Sequence, residues 1–181
     1  MNKKILGLAL AITFLAMLVA PVLAGKGNSK LSYEARFVLG APDSMTMRSV
    51  PPEGDANVNF ISLVYSAPVP LFILKIDGTE YPAIYTEAKI LVIRRVGNPF
   101  RLVKATETYT FDGIDGSLVV RVTGRTNGMG TPDQMDIVNV EGHGTGYFKG
   151  VKISAKGYSP LGETTLKIHE GTIMGWSGLP T

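Results

Sequence analysis

The chain has two histidines and no cysteine, so any metal or nucleophilic chemistry must be built without a thiolate. Glu141 and Gly142 precede His143, and Glu170 and Gly171 follow His169. If the strands carrying these segments are neighbours, His143, His169, Glu141 and Glu170 form a set of two imidazoles and two carboxylates. Such a set suits zinc or a similar ion. The spacing matches no metal motif, and His169 has no second histidine four residues on. The simpler account puts both histidines at the surface or in turns. The stretches "DGIDG" and "TPDQMD" each hold two carboxylates, but a calcium loop needs more oxygen donors at alternating positions. Turn chemistry explains Asp-Gly pairs without an ion. No cofactor is expected.

Glu107 is the second candidate. In "RLVKATETYTF" one phase of a strand reads Val103, Ala105, Glu107, Tyr109 and Phe111, while the other reads Leu102, Lys104, Thr106, Thr108 and Thr110. The first phase is the apolar one, so Glu107 is expected to point inward with Tyr109 beside it. An inward carboxylate is costly unless paired or protonated, and desolvation raises its pKa. A neighbouring arginine or backbone amides could satisfy it structurally. Alternatively, Glu107 and Tyr109 form a ligand-binding floor, a polar anchor or general base within a cavity.

Other patterns exclude chemistry. Gly175-Trp176-Ser177-Gly178 is one residue short of a nucleophile elbow and lies at the chain end. Gly144-Thr145-Gly146-Tyr147-Phe148-Lys149-Gly150 has one residue too many for G-x-G-x-x-G, and a strand pattern follows it rather than a helix. Phosphate binding there is not expected.

These residues must be held by something, and the chain's start says where that something resides. Lys3 and Lys4 are followed by an uncharged run from Ile5 to Ala24, ending in Pro21-Val22-Leu23-Ala24. Residues 1–24 read as a signal-peptide helix cleaved before Gly25. Retention of this segment as a membrane anchor is the alternative, since its length could just span a bilayer. Export places the protein in the secreted or cell-envelope compartment, outside the cytoplasmic membrane. Residues 25–30 form a flexible polar leader, and 31–181 a single domain. Cleavage removes two of 18 basic residues and none of the 15 acidic ones, so the mature charge is 16 − 15 = +1. With no basic stripe interleaved with aromatics, nucleic acid is not an expected partner, nor is a membrane once the signal is gone.

The mature chain reads β throughout. Residues 31–39 alternate apolar and mostly polar; "NFISLVY", "LFILKI" and "AKILVI" are short apolar runs bounded by Pro, Gly or Asn. Asp77-Gly78 sits between two candidates as a hairpin turn. "RLVKATETYTF" and "SLVVRVTGR" flank "DGIDG", and "MDIVNVEG", "VKISAK" and "TLKIHEGTIMGW" complete about ten strands. The stretch "GAPDSMTMRSVPPEGDAN" reads mainly as loop because of its prolines and glycine. The whole predicts an all-β antiparallel barrel, with a β-sandwich as the alternative. Gly144, Gly146 and Gly150 are read as structural glycines that let the sheet bend sharply.

The stretch "GHGTGYFKGVKISAKGY" resembles the G-T-G-x-F-x-G segment of allene-oxide-cyclase-like and related avidin-like small barrels. The resemblance implies an antiparallel barrel of about eight strands around a central cavity. It places no catalytic residue.

Three functions remain open. The first is a binding module for a small apolar or amphipathic ligand in the barrel. The second is a structural or interaction protein of the cell surface with a filled interior. The third, for which no reaction can be named, is an enzyme using a buried carboxylate. A cavity of about 300 Å3 or more would favour the first or third. Because "ISLVY", "LFILKI" and "ILVI" are apolar on both faces, a homo-oligomer is expected to cover the outer one.

Overall fold

The computed structural model describes residues 29–50, 58–66, 71–95, 98–127, 136–160 and 166–180. Eleven strands make up one antiparallel sheet: β1 (Lys30–Val38), β2 (Ser44–Val50), β3 (Val58–Ser66), β4 (Leu71–Ile76), β5 (Thr79–Tyr81), β6 (Ala83–Arg95), β7 (Arg101–Phe111), β8 (Ser117–Thr126), β9 (Asp136–Gly144), β10 (Lys152–Tyr158) and β11 (Leu166–Met174). Their order is β2-β3-β6-β7-β8-β9-β10-β11-β1-β4-β5, and the sheet curls into a half-barrel. The all-β antiparallel class is as the sequence predicts. The described sheet has eleven strands where the resemblance implied about eight. The signal segment and residues 25–28 of the leader lie outside the described residues.

Local chemistry explains most of the elements. The β4–β5 hairpin turns through Asp77 and Gly78, both at positive φ (51° and 77°), with Ile76 opposite Thr79. That is the mirror-image turn whose twist matches two flanking strands. The 44–50 segment, expected to be loop, is instead a strand paired with β3 from Ser44–Val64 to Val50–Val58. Pro42, Pro51 and Pro52 bracket this strand without interrupting it. At the sheet edge it needs ladder partners on one side only.

The glycine-rich stretch is partly a turn rather than a bent strand. Gly144 closes β9, and Gly146–Phe148 form a 3-10 turn before β10. A side chain at Gly144 would collide with the Phe148 backbone. Gly146 has φ 52° and sits against the Asp115 carbonyl of the "DGIDG" turn, so both needs exclude a Cβ. Gly150, at φ 97°, completes the same turn. The Tyr147 N–H donates to the Asp115 carbonyl at 2.8 Å, tying the two turns together. "DGIDG" therefore acts as turn chemistry; "TPDQMD" lies outside the described residues except for Asp136.

The concave face carries the core. Alternation along β7 and β8 buries Tyr109, Phe111, Leu118, Val120 and Val122. One end is plugged by aromatic rings: Trp176 stacks on Phe148 (5.4 Å, 1°) and meets Phe111 and Tyr81 at 5.9 and 5.1 Å. Further in, Phe72 of β4 lies 4.7 Å from Tyr109 and 5.7 Å from Tyr85, so rings from strands far apart in the sheet order meet across the interior. Each such ring buries on the order of 150–250 Å2, which makes this plug a large block of apolar burial. Above the plug the described residues enclose a cavity.

Candidate ligand-binding site

β7 delivers Glu107 to the interior two residues before Tyr109 and two after Ala105. It is 4% exposed, so the phase read from the sequence holds. Its neighbours differ from the arginine or backbone amides expected of a structural carboxylate. The Tyr109 hydroxyl donates to Glu107 Oε2 at 2.6 Å, within the range of short O–H···O− bonds. His169 Nδ1 lies 3.8 Å from the same oxygen, an ion-pair distance if the imidazole is protonated. Burial pushes the Glu107 carboxyl up to about 7, the Tyr109 hydrogen bond and the Lys167 charge offsetting part of the rise. The same burial, reinforced by the Glu107 charge, raises Tyr33, Tyr85 and Tyr109, so all three phenols stay protonated. The Tyr85 hydroxyl is buried with no hydrogen-bond partner among the described residues.

His169 reaches this site because β11 runs beside β10. Its register partner is Gly157, and a Cβ at Gly157 would come within 2.8 Å of His169 Cδ2. The imidazole therefore fills the space a side chain would occupy. Phe37 meets the ring edge-on at 5.1 Å and 81°. His169 is 3% exposed, which corrects the expectation of a surface or turn histidine. The sequence signal was present but weak: His169, Gly171 and Ile173 share one strand phase, and that phase is inward.

The proposed metal set does not assemble. β9 and β11 flank β10 on opposite sides, so the strands of the two histidines are not neighbours. His143 and Glu141 are exposed, as is Glu170, while His169 faces the core. Alternation decides this, since Glu170 and His169 are consecutive and must point to opposite faces. Among the described residues no three His, Cys, Asp or Glu side chains group closely enough to hold a metal.

Glu107 and His169 lie at the inner end of a cavity of about 90 Å3. Its walls are apolar, formed by Phe37, Leu63, Ile90, Val92, Val122 and Val138. From Glu107 to Val103, another lining residue, β7 rises about 13 Å. The partly exposed Leu39, Tyr158 and Lys167 lie at the outer end. There Lys167 Nζ donates to Ser159 Oγ at 2.7 Å. Thr126, also lining the cavity, is 1% exposed, and its hydroxyl has no hydrogen-bond partner among the described residues. The arrangement is a largely apolar sleeve with the Glu107 carboxyl and the His169 imidazole at the bottom, and the Tyr109 phenol, which does not line the cavity, holds Glu107 from behind. It can accept or donate a hydrogen bond at one point and grip an apolar body along the rest. Comparison with known protein families, with curated proteins and with solved structures finds no match to the chain.

Proposed function

We propose that the protein is an exported β-barrel-like binding module, of the allene-oxide-cyclase-like or avidin-like kind in outline, for a small apolar or amphipathic ligand. Glu107 anchors the polar end of that ligand, and Tyr109 positions the Glu107 carboxyl through its hydrogen bond. The observation that carries this reading is the buried Glu107–His169 pair at the bottom of a largely apolar cavity, with Tyr109 bonded to Glu107 from behind. Burying such a carboxyl costs stability unless a partner offsets it, and a ligand's polar head at the cavity floor is such a partner. The closed part has room for a handful of water-sized groups. The ligand's head is accordingly small, and its body leaves through the outer end past Leu39 and Tyr158. Export rests on Lys3, Lys4 and the Ala24–Gly25 junction, and N-terminal sequencing of the protein from medium or envelope should begin at Gly25. In this setting the protein self-associates as a homo-oligomer.

One observation favours a second reading. A cavity of about 90 Å3 is well below the roughly 300 Å3 usual for ligand pockets, as expected of a cell-surface structural protein whose side chains fill the interior. Native mass spectrometry of the exported protein separates the two: a bound small molecule supports the module, and a bare mass across preparations supports the structural protein.

A further inference from the structure

The two ends of the sheet are protected very differently. At one end β5 has three residues, carries Glu80 and is stopped by Pro82, while its Tyr81 packs on Trp176. Short length, charge and proline are the usual guards against strand addition. At the other end β2 runs for seven residues from Ser44 to Val50. Within it there is no Pro, Arg48 is the one charge, and among the described residues nothing pairs with its outer side. Every residue from Ser44 to Arg48 is exposed.

Register places the methionines. Met45 lies opposite Leu63 and Met47 opposite Ile61; these continue across β6 to Ile90 and Val92. Leu63, Ile90 and Val92 line the cavity. Met45 and Met47 therefore extend the cavity wall onto the concave side of the free edge, yet they are 60% and 64% exposed. Two large apolar side chains on a backbone edge that no described strand pairs call for a cover.

We infer that a second copy of this chain supplies it, by antiparallel pairing of β2 with β2 about a two-fold axis at Thr46. Within β2 this register pairs the five residues Ser44–Arg48 with themselves, and Ser49 and Val50 run past the partner strand's start. Met45 faces the partner copy's equivalent of Met47 on the concave side. Thr46 faces its own equivalent on the convex side, a favourable cross-strand pair, and Arg48 faces Ser44, so no like charges oppose. A two-fold contact is isologous, as closed dimers require. Each copy's methionines then close the outer flank of the joined cavity walls. This inference rests on the self-association part of the proposed function and not on the ligand.

The absence of cysteine makes the test clean. In this register the two Thr46 Cβ atoms stand about 4.5–5.5 Å apart, so Thr46→Cys is expected to form a covalent dimer on mild oxidation or with a short bis-maleimide. Ser44→Cys alone should not, because its neighbour is Arg48. Mixing S44C with R48C should restore crosslinking between unlike copies. Light scattering of the exported wild-type protein should give twice the monomer mass, and Ser44→Arg, which sets two arginines opposite each other, should shift it toward monomer. A monomer mass independent of concentration overturns both the interface and the self-association. A dimer mass with no Thr46→Cys crosslink overturns this interface alone and leaves self-association through another face.

Discussion

The Tyr109 hydroxyl donates to Glu107 Oε2 at 2.6 Å inside the curled sheet, which shuts out water from both. The bond joins residues two apart on β7, so their relative position is fixed by the strand itself. Tyr109→Phe removes the donor and leaves the carboxyl with one partner fewer. The cost is expected at about 1–3 kcal/mol in chemical denaturation. The Glu107 pKa should also move further up, because the hydrogen bond holds it down. An unchanged carboxyl titration in NMR would show that the bond does not form.

Glu107 also makes stability depend on pH. Its carboxyl titrates near 4.5 when unfolded and at about 7 when folded. Between these values the folded state binds the extra proton, so stability falls as pH rises from about 4.5 to 7 and levels off above. The full swing is on the order of 3 kcal/mol at about 1.4 kcal/mol per unit. Glu107→Gln should flatten the profile in that window, with the variant gaining on wild type at pH 8. Parallel profiles for the two proteins would place the titration elsewhere.

How far the sequence was legible depended on how local each cause was. Alternation along 103–111 placed Glu107 inside because a strand's two faces are set by its own pattern. Asp77-Gly78 announced its hairpin because the turn's positive φ values demand such residues. The 44–50 strand was hidden, since its flanking prolines read as loop and its pairing with β3 is a tertiary fact. His169 was only weakly signalled by its strand phase, because its partners Glu107, Phe37 and Gly157 come from three other strands. The metal set failed because consecutive residues such as His169 and Glu170 face opposite ways.

Gly157 is the position that lets His169 in. Gly157→Ala would press a methyl against His169 Cδ2 and against the Val138 side chain. The expected cost is about 1–3 kcal/mol, as for other overpacked cores. The His169 imidazole resonances should shift with it. A variant as stable as wild type, with those resonances unmoved, would show the space to be unneeded.

Trp176 is the single tryptophan and seals the plugged end against Phe148, Phe111 and Tyr81. Trp176→Ala should destabilise by about 3–5 kcal/mol. In wild type its emission should be that of a buried indole and shift to the red in the same transition that circular dichroism reports. A red-shifted emission in the native protein would contradict the packing of the tail.

The central claim is that Glu107 anchors a ligand in the cavity. Its most direct test is native mass spectrometry of exported wild-type protein beside Glu107→Gln, purified identically. Expected is a small-molecule adduct on wild type that is lost from the variant while the variant's stability is kept. Wild-type protein that carries no adduct, or an adduct equally present on Glu107→Gln, would contradict it.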